Sequence, residues 1–504
     1  MMLVKIRQVL LILATLLGIA LWLSMLHSPE PQWDEGWTMT VARTWVEQGV
    51  YAQPLDGTLI APSLAASFPT VVPVALAFKL LGVGYWQGRM AIALLNLLSL
   101  AALALLARRL YGVSVGIMVI PTLLLTTIHV TGNPLFVGRQ AMGEPAMMLL
   151  LCLAFFTMLP ALAGSWRWML VTVGLFGLAL VTKAQTLPFW IVAMFAPLPL
   201  LFWRRHLVML VRILVIIVGS LGAARLIAAA WNLLVFDPTL PVPEVVGLTR
   251  TVATVFTLAS RQLGLLWIGA IAVPALLGMA WASWGIFRQR LQIDWGDPIQ
   301  IVRVSILAFV LSWLGWFLFL AVAWARYLYP VVFLGAIFTT AMLTDWTGDF
   351  RPAEVLRRLR SGGRPGYTAL VALTVLCMAP PATVFHQIFT YPISTDQPLL
   401  ATSAWIKAHV PADARVETNE TELFVSLDQP YHFPPYQEHV VANQRLLLHE
   451  SVPFTYDPLV ADPDYLVTGR QEQAWQLYAP YIEAGHFQLL QEFGVYRIYA
   501  RLRP

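Results

Sequence analysis

Charge is what this chain has least of. Only 12% of its 504 residues are charged, about half the share usual in soluble domains. A basic surface of the kind that holds nucleic acid is excluded with it, since the net charge is only +5. Cysteine is nearly absent. Cys152 and Cys377 both lie inside apolar runs, so there is no disulfide framework, no CxxC pair and no zinc spacing. Phosphate-binding loops and dinucleotide fingerprints are missing too. Gly112-Val113-Ser114-Val115-Gly116 has the letters of a nucleophile elbow, but no strand precedes it, and the match is chance. No internal repeat appears, and no low-complexity tract beyond the basic, Gly-containing loop at 351–366.

What the chain does have is apolar residues, 58% of the total, and 20 tryptophans suited to interfacial belts. Apolar runs lie at about 9–26, 86–106, 114–131, 141–160, 167–184, 187–203, 207–232, 262–285, 299–323, 327–344 and 367–389. Lys5 and Arg7 precede the first, and no small-x-small cleavage site follows it, so it reads as an uncleaved anchor. A further run, 68–83, is short and holds Pro69, Pro73 and Lys79. With the N-terminus inside and 68–83 not spanning, the basic sites at Arg108/Arg109, Arg167, Arg204/Arg205, Arg288/Arg290 and 351–364 all fall inside. If 68–83 spans, every one of them flips outside. The expectation is therefore about eleven transmembrane helices in a plasma-membrane domain, residues 1–389. Its first outer loop, 27–85, carries two helices lying along or dipping into the membrane. Residues 390–504 lose hydrophobicity and read as a small extracytoplasmic α/β domain. Its expected helices are at 398–409 and near 471–484, and its expected strands at 415–418, 464–468 and 494–500.

In the first outer loop stands Trp33-Asp34-Glu35-Gly36-Trp37. Carboxylates favour a helix N-terminus, and capping explains the pair about as well as chemistry does. Trp37, Val41 and Trp45 fall at helical spacing on one face, suited to the headgroup layer. The topology gathers more charges at the same outer level: Arg139 and Glu144, Lys183, Arg326, and Arg89 close by. Charges at a helix centre cost ~2.5–3.5 kcal/mol to insert, so such residues usually share a polar cavity and pair there. Snorkelling to headgroups is the rival explanation for Arg139 and Arg326. Acids beside Arg and Lys at a membrane surface suit a lipid phosphate as leaving group, with cations on the phosphate and a carboxylate taking a proton from an acceptor hydroxyl.

Several stretches carry a resemblance. They are Asp34-Glu35-x-Trp37 with Gly49-Val50-Tyr51 following, Leu81-Gly82-Val83-Gly84 then Arg89, and Gly138-Arg139-Gln140-Ala141-Met142-Gly143-Glu144. Lys183, Arg326-Tyr327-Leu328-Tyr329-Pro330 and Ala404-Trp405-Ile406-Lys407 come after, in the same order. The chain resembles the GT-C membrane glycosyltransferases, nearest to glycosyltransferase family 39, the protein O-mannosyltransferases, and the related lipid A aminoarabinose transferases. The resemblance implies transfer of a sugar from a polyprenyl-phosphate donor to an extracytoplasmic lipid, glycan or protein acceptor, among membrane lipids and without nucleic acid. It implies Asp34 as general base, with Glu35 and Glu144 as further catalytic acids. It implies Arg89, Arg139, Lys183, Arg326 and Tyr327 as contacts of the lipid phosphate and sugar. It names no certain cofactor and leaves a divalent metal open. Many relatives carry Pro-Pro, in some preceded by Lys, where this chain has Ser67-Phe68-Pro69-Thr70, so no phosphate-binding Lys carries over there. A transporter or flippase of an anionic or lipid-linked substrate is the alternative. It calls for matched repeats with broken helices, which the sequence does not show.

Overall fold

A computed structural model of the protein describes residues 15–24, 26, 31–55, 57–62, 64–127, 129–242, 253–289, 294–377 and 397–503. Lys5, Arg7, Arg290 and the boundary near 389 lie outside the described residues. Within the described residues each apolar run meets a helix: α1 (Thr15–Ser24), α4 (Tyr85–Tyr111), α5 (Val113–Thr126), α6 (Gly143–Leu162), α7 (Trp166–Thr182), α8 (Thr186–Trp203), α9 (Leu207–Leu234), α10 (Leu258–Arg288), α11 (Pro298–Phe319), α12 (Tyr329–Thr347) and α14 (Gly363–Cys377). Between them lie α2 (Trp33–Gln48), α3 (Phe68–Leu81) and α13 (Pro352–Ser361). Among the described residues, seven helices are long and apolar enough to cross a membrane: α4, α6, α8 to α11, and α12 with the turn Ala325–Leu328 before it. The protein is a multi-pass membrane protein. Helix α3 has 14 residues, about 21 Å of rise against the ~30 Å of a hydrocarbon core, and it ends at Gly82 with a φ of 86°.

Helix α12 runs through the middle of the bundle, with 94% of its apolar window buried. It packs on α5, α10 and α11, while α6 pairs with α4 and α7. Helix α9 is peripheral, with 28% of its window buried, and Arg225 is exposed on it.

A short antiparallel hairpin, β1 (Gln53–Leu55) with β2 (Thr58–Ile60), follows α2, and the C-terminal unit holds a five-stranded mixed sheet in the order β4-β3-β5-β7-β6, counting strands along the chain. The strands are β3 (Val416–Thr418), β4 (Tyr431–His432), β5 (Tyr465–Thr468), β6 (Phe487–Phe493) and β7 (Tyr496–Arg501). The first three pair in parallel and the last two antiparallel, with Val416 beside Tyr465 and Val467 beside Ile498. Helix α15 (Pro398–His409) lies where the sequence put it. The helical stretch near 471–484 is two short helices, Arg470–Trp475 and Ala479–Glu483. The pattern gave no sign of β4, which is two residues long, of β6, an edge strand with mostly exposed side chains, or of helix α16 (Tyr436–Leu447).

This unit does not bury a core of its own. It shares one with α2. Trp37 is fully buried between Phe433 at 5.0 Å, Phe424 at 5.4 Å and Tyr436 at 5.6 Å, ring centre to ring centre. The headgroup placement expected for Trp37 is therefore wrong: aromatic rings of the same chain cover it instead of lipid. Polar bonds fix the joint. Trp33 Nε1 donates to Asn419 O (3.0 Å), Thr421 Oγ1 to Trp33 O (2.5 Å) and Tyr85 Oη to Glu422 O (2.5 Å), and Arg43 reaches Leu427 O (2.7 Å). Behind them Glu420 accepts from the backbone N–H groups of Gln471 and Glu472, and burial raises the Glu420 and Glu472 carboxyls to about 7. Gly36 is required by the close approach: a Cβ there would lie 2.2 Å from Thr421 O.

The two ends of the bundle differ. Tyr85 at the start of α4 touches the C-terminal unit, while Arg108 and Arg109 sit at its other end. There Arg303 at the start of α11 donates to Leu110 O, and Arg212 at the start of α9 donates to Leu162 O. Two predictions follow from this arrangement. Cysteine placed at exposed Ser361, on the basic end, should escape an impermeant reagent in intact cells, and cysteine at exposed Gln473 should react. The reverse pattern would invert the topology. Gly36→Val should cost about 1–3 kcal/mol by overpacking, read as a lower thermal midpoint of the purified protein. An unchanged midpoint would mean the joint is looser than the contacts indicate.

Candidate active site

Helix α2 begins just after Pro31-Gln32, and its first turn carries both acids, where the helix dipole favours them. Successive residues point about 100° apart around a helix, so the two carboxylates go different ways. Glu35 turns inward and is fully buried. Its Oε1 and Oε2 take a two-pronged grip from Arg89 Nη2 (2.6 Å) and Nε (2.9 Å). Glu35 Oε1 also accepts from Gln32 N (3.0 Å), the reaching-back half of a capping box, and Oε2 from Ala141 N (2.9 Å). Arg89 is equally buried and gives its remaining arm to Leu26 O (3.0 Å).

Asp34 turns outward and is a third exposed. Its Oδ2 is paired with Arg326 Nη1. Arg326 stands on the single turn Ala325–Leu328 that leads into α12, with Pro330 starting the helix proper. Its guanidinium lies 4.9 Å from the Trp324 ring and 5.7 Å from that of Tyr327, and Nη1 is 3.4 Å from Met142 Sδ. Next to it is a second pair, Lys183 with Glu144. Glu144 sits in the first turn of α6 and Lys183 just past the end of α7, so each charge also suits its helix terminus. Lys183 Nζ is 5.8 Å from the Tyr327 ring centre. The loop bearing Arg139 and Met142 is held from below, where Asn96 Nδ2 donates to Pro134 O (3.1 Å) and Tyr329 Oη to Asn96 Oδ1 (3.1 Å).

Asp34, Arg326 and Tyr327 line one cavity of about 1140 Å³. Its bundle-side wall is apolar and aromatic, with Phe136, Phe189, Leu263, Trp267 and Trp316. Gln140 and Gln185 line it too, and His439, Asn443 and Gln471 come from the C-terminal unit. Five of the residues expected at the site, Lys183 among them, are not in the cavity lining. Glu35 and Arg89, expected as catalytic and donor-contacting, are not in the cavity wall, because each is fully buried against the other. Arg139 is fully buried near that pair, and burial, then the neighbouring Arg89, lower its pKa to about 9. Glu144 is nearly buried and meets Lys183, one step from the cavity. Among the described residues no group of three His, Cys, Asp or Glu is placed to hold a metal ion. Sequence reasoning missed His439 and Asn443. They lie some 400 residues from Asp34 with no motif around them, and only the unpredicted helix α16 brings them in.

No protein-family model and no curated protein matches the chain. Solved structures do. ArnT from Cupriavidus metallidurans bound to undecaprenyl phosphate aligns over 98% of both chains, with a TM-score of 0.60 and 14% identity. The same protein in the apo state aligns over 98% of both chains, with a TM-score of 0.56 and 14% identity. The chain has the fold of ArnT.

The two neighbouring acids should separate in a stability measurement. Arg89→Met leaves Glu35 buried without its partner and should cost ~3–5 kcal/mol, seen as lost folded protein or a sharply lower thermal midpoint. Asp34→Asn disturbs a partly exposed pair and should cost less than about 1 kcal/mol. Equal losses would show that both pairs are structural.

Proposed function

We propose that the protein is an integral membrane glycosyltransferase that moves a sugar from a polyprenyl-phosphate donor to an acceptor hydroxyl on the extracytoplasmic face. The observation that carries this reading is the placement of one partly exposed carboxylate, Asp34, against one partly exposed guanidinium, Arg326, in the wall of a large aromatic-lined cavity. The ArnT structure of the same fold holds undecaprenyl phosphate. In the absence of donor the two charges satisfy each other. A donor phosphate competes for Arg326, and Lys183 lies close enough to Tyr327 to join it. Asp34 is then released to act as base.

The chemistry balances without a covalent intermediate. Asp34 takes the proton of the acceptor hydroxyl as its oxygen bonds to the anomeric carbon. The bond from that carbon to the phosphate oxygen breaks, and the electron pair leaves on a phosphate already charged and held by Arg326 and Lys183. Glu144 acts through Lys183, setting where the ammonium points. Glu35, Arg89 and Arg139 act through the position of α2 and the 138–144 loop. The apolar wall takes the first isoprene units of the carrier.

Transfer from labelled undecaprenyl-phosphate sugars in proteoliposomes tests it. Asp34→Asn should lose ~10²–10⁴-fold in rate while still retaining undecaprenyl phosphate. Arg326→Met should lose ~10²–10³-fold, with weaker retention of the same lipid. Normal transfer by Asp34→Asn, with Glu144→Gln inactive, would move the base to the other acid. Passage of the lipid across the bilayer with no sugar transferred would favour a flippase.

A further inference from the structure

The end of the bundle away from the cavity carries a surface that the proposed reaction does not use. Between Arg351 and Arg364 lie five arginines and one acid, Glu354. They sit on or beside α13, which joins the end of α12 to the start of α14. At 100° per residue, Val355, Leu356 and Leu359 form one stripe of this helix, while Glu354, Arg357, Arg358 and Ser361 lie on the opposite side. Among the described residues the apolar stripe joins no hydrophobic cluster, no residue of α13 is buried, and Leu356 is about half exposed. An apolar stripe left uncovered at the end of a spanning helix is the mark of a helix lying in the interfacial layer of the bilayer. Trp346 near the end of α12 and exposed Tyr367 in the first turns of α14 flank it, and both residue types favour that layer.

Part of this charge fixes the helix in place. Arg358 donates to Asp345 O (2.7 Å) and Trp346 O (3.1 Å), closing the C-terminal end of α12. Glu354 takes both Arg357 (2.7 Å) and Arg358 (2.9 Å). Gly362 and Gly363, with φ of 63° and 57°, turn the chain into α14. Arg351, Arg360 and Arg364 are left over. All three are exposed, and among the described residues no acid pairs with them. Arg351 stands at the N-cap of α13, where the helix dipole disfavours a cation, so helix stability does not account for it. Arg357, Arg358 and Arg364 line a hollow of about 400 Å³ at this joint, with Ser361 beside them. Asp345 and Glu354 line it too, so the cations there exceed the acids by one, the charge of a single phosphodiester.

We propose that α13 lies in the headgroup layer at the basic end of the bundle and that its hollow binds the phosphodiester of an anionic phospholipid. Arg364, which has no acid of its own, is the principal cation for that phosphate, and Arg351 and Arg360 draw further anionic headgroups to the helix. Arginines next to a spanning helix attract anionic lipid in this way, each cation strengthening the association several-fold. A zwitterionic lipid brings its own cation to the same arginines and gains much less. Arg326 stands at the opposite end of α12, about 28 Å of helical rise away. The lipid site is therefore separate from the cavity at Asp34 and does not depend on the glycosyltransferase reading.

The test titrates the full chain in neutral detergent with dioleoyl phosphatidylglycerol or dioleoyl phosphatidylcholine and counts bound lipid by native mass spectrometry. The unaltered protein should bind the glycerol lipid at least tenfold more tightly than the choline lipid. The double variant Arg360→Gln with Arg364→Gln should lose about twentyfold in affinity for phosphatidylglycerol, with its thermal midpoint unchanged because both positions are exposed. Arg360→Lys with Arg364→Lys keeps both charges and should stay within about threefold, so the site can be read even if the glutamine variant folds poorly. Arg326→Met should bind phosphatidylglycerol normally, which places the lipid at α13 and not in the cavity. Equal affinity for the two lipids, or undiminished phosphatidylglycerol binding in the glutamine variant, overturns the proposal. So does a loss caused by Arg326→Met, or displacement of the lipid by millimolar inorganic phosphate, which would make the hollow a site for a soluble anion.

Discussion

The buried ion pair between Glu35 and Arg89 is the contact on which the site depends. It ties the start of α2 to α4, and through Glu35 Oε2 and Ala141 N it ties both to the loop that leads into α6. Removing two charges from water costs several kcal/mol each, and the cost is offset here because the guanidinium fork and two backbone N–H groups satisfy the carboxylate. A pair that stands only when every partner is in place defines one geometry. That geometry fixes the direction of the neighbouring residue, and the neighbouring residue is Asp34.

Adjacent acids on a helix cannot serve the same face. The turn that drives Glu35 inward sends Asp34 outward to Arg326 and the cavity. One acid is thereby locked in the core and the other stays partly exposed at the cavity. The same division recurs in the cations. Arg89 and Arg139 are buried, while Arg326 and Lys183 keep about a fifth of their side chains exposed. A partly exposed pair can be exchanged for a pair with an incoming phosphate, because water and the ligand compete for it on near-equal terms. A fully buried pair cannot be exchanged without opening the core.

The C-terminal unit closes this arrangement from above. Trp37 is buried in its aromatic side chains, and Gly36 lets its backbone come within contact of α2. A helix of the membrane domain and a sheet about 400 residues later thus share one core. Helix α16 then hangs over the cavity with His439 and Asn443 in its lining. Any movement of the unit moves the cavity wall and the start of α2 together.

Sequence by itself determined the class of the protein and the position of its membrane helices, because a long apolar run has no other stable use and hydropathy is a local property. It brought Asp34, Arg326, Lys183 and Glu144 to attention, because charge within apolar sequence is conspicuous wherever it occurs. It did not tell Asp34 from Glu35 by their chemistry. Both are acids in one helical turn, and which of them is buried is decided by where Arg89 and Ala141 arrive. Nor did it show that Arg89 is buried against Glu35, that Trp37 meets protein instead of lipid, or that His439 and Asn443 line the cavity. These depend on contacts between residues far apart in the chain. Packing decides such contacts, and an amphipathic pattern records only that a face is covered, with nothing to say what covers it.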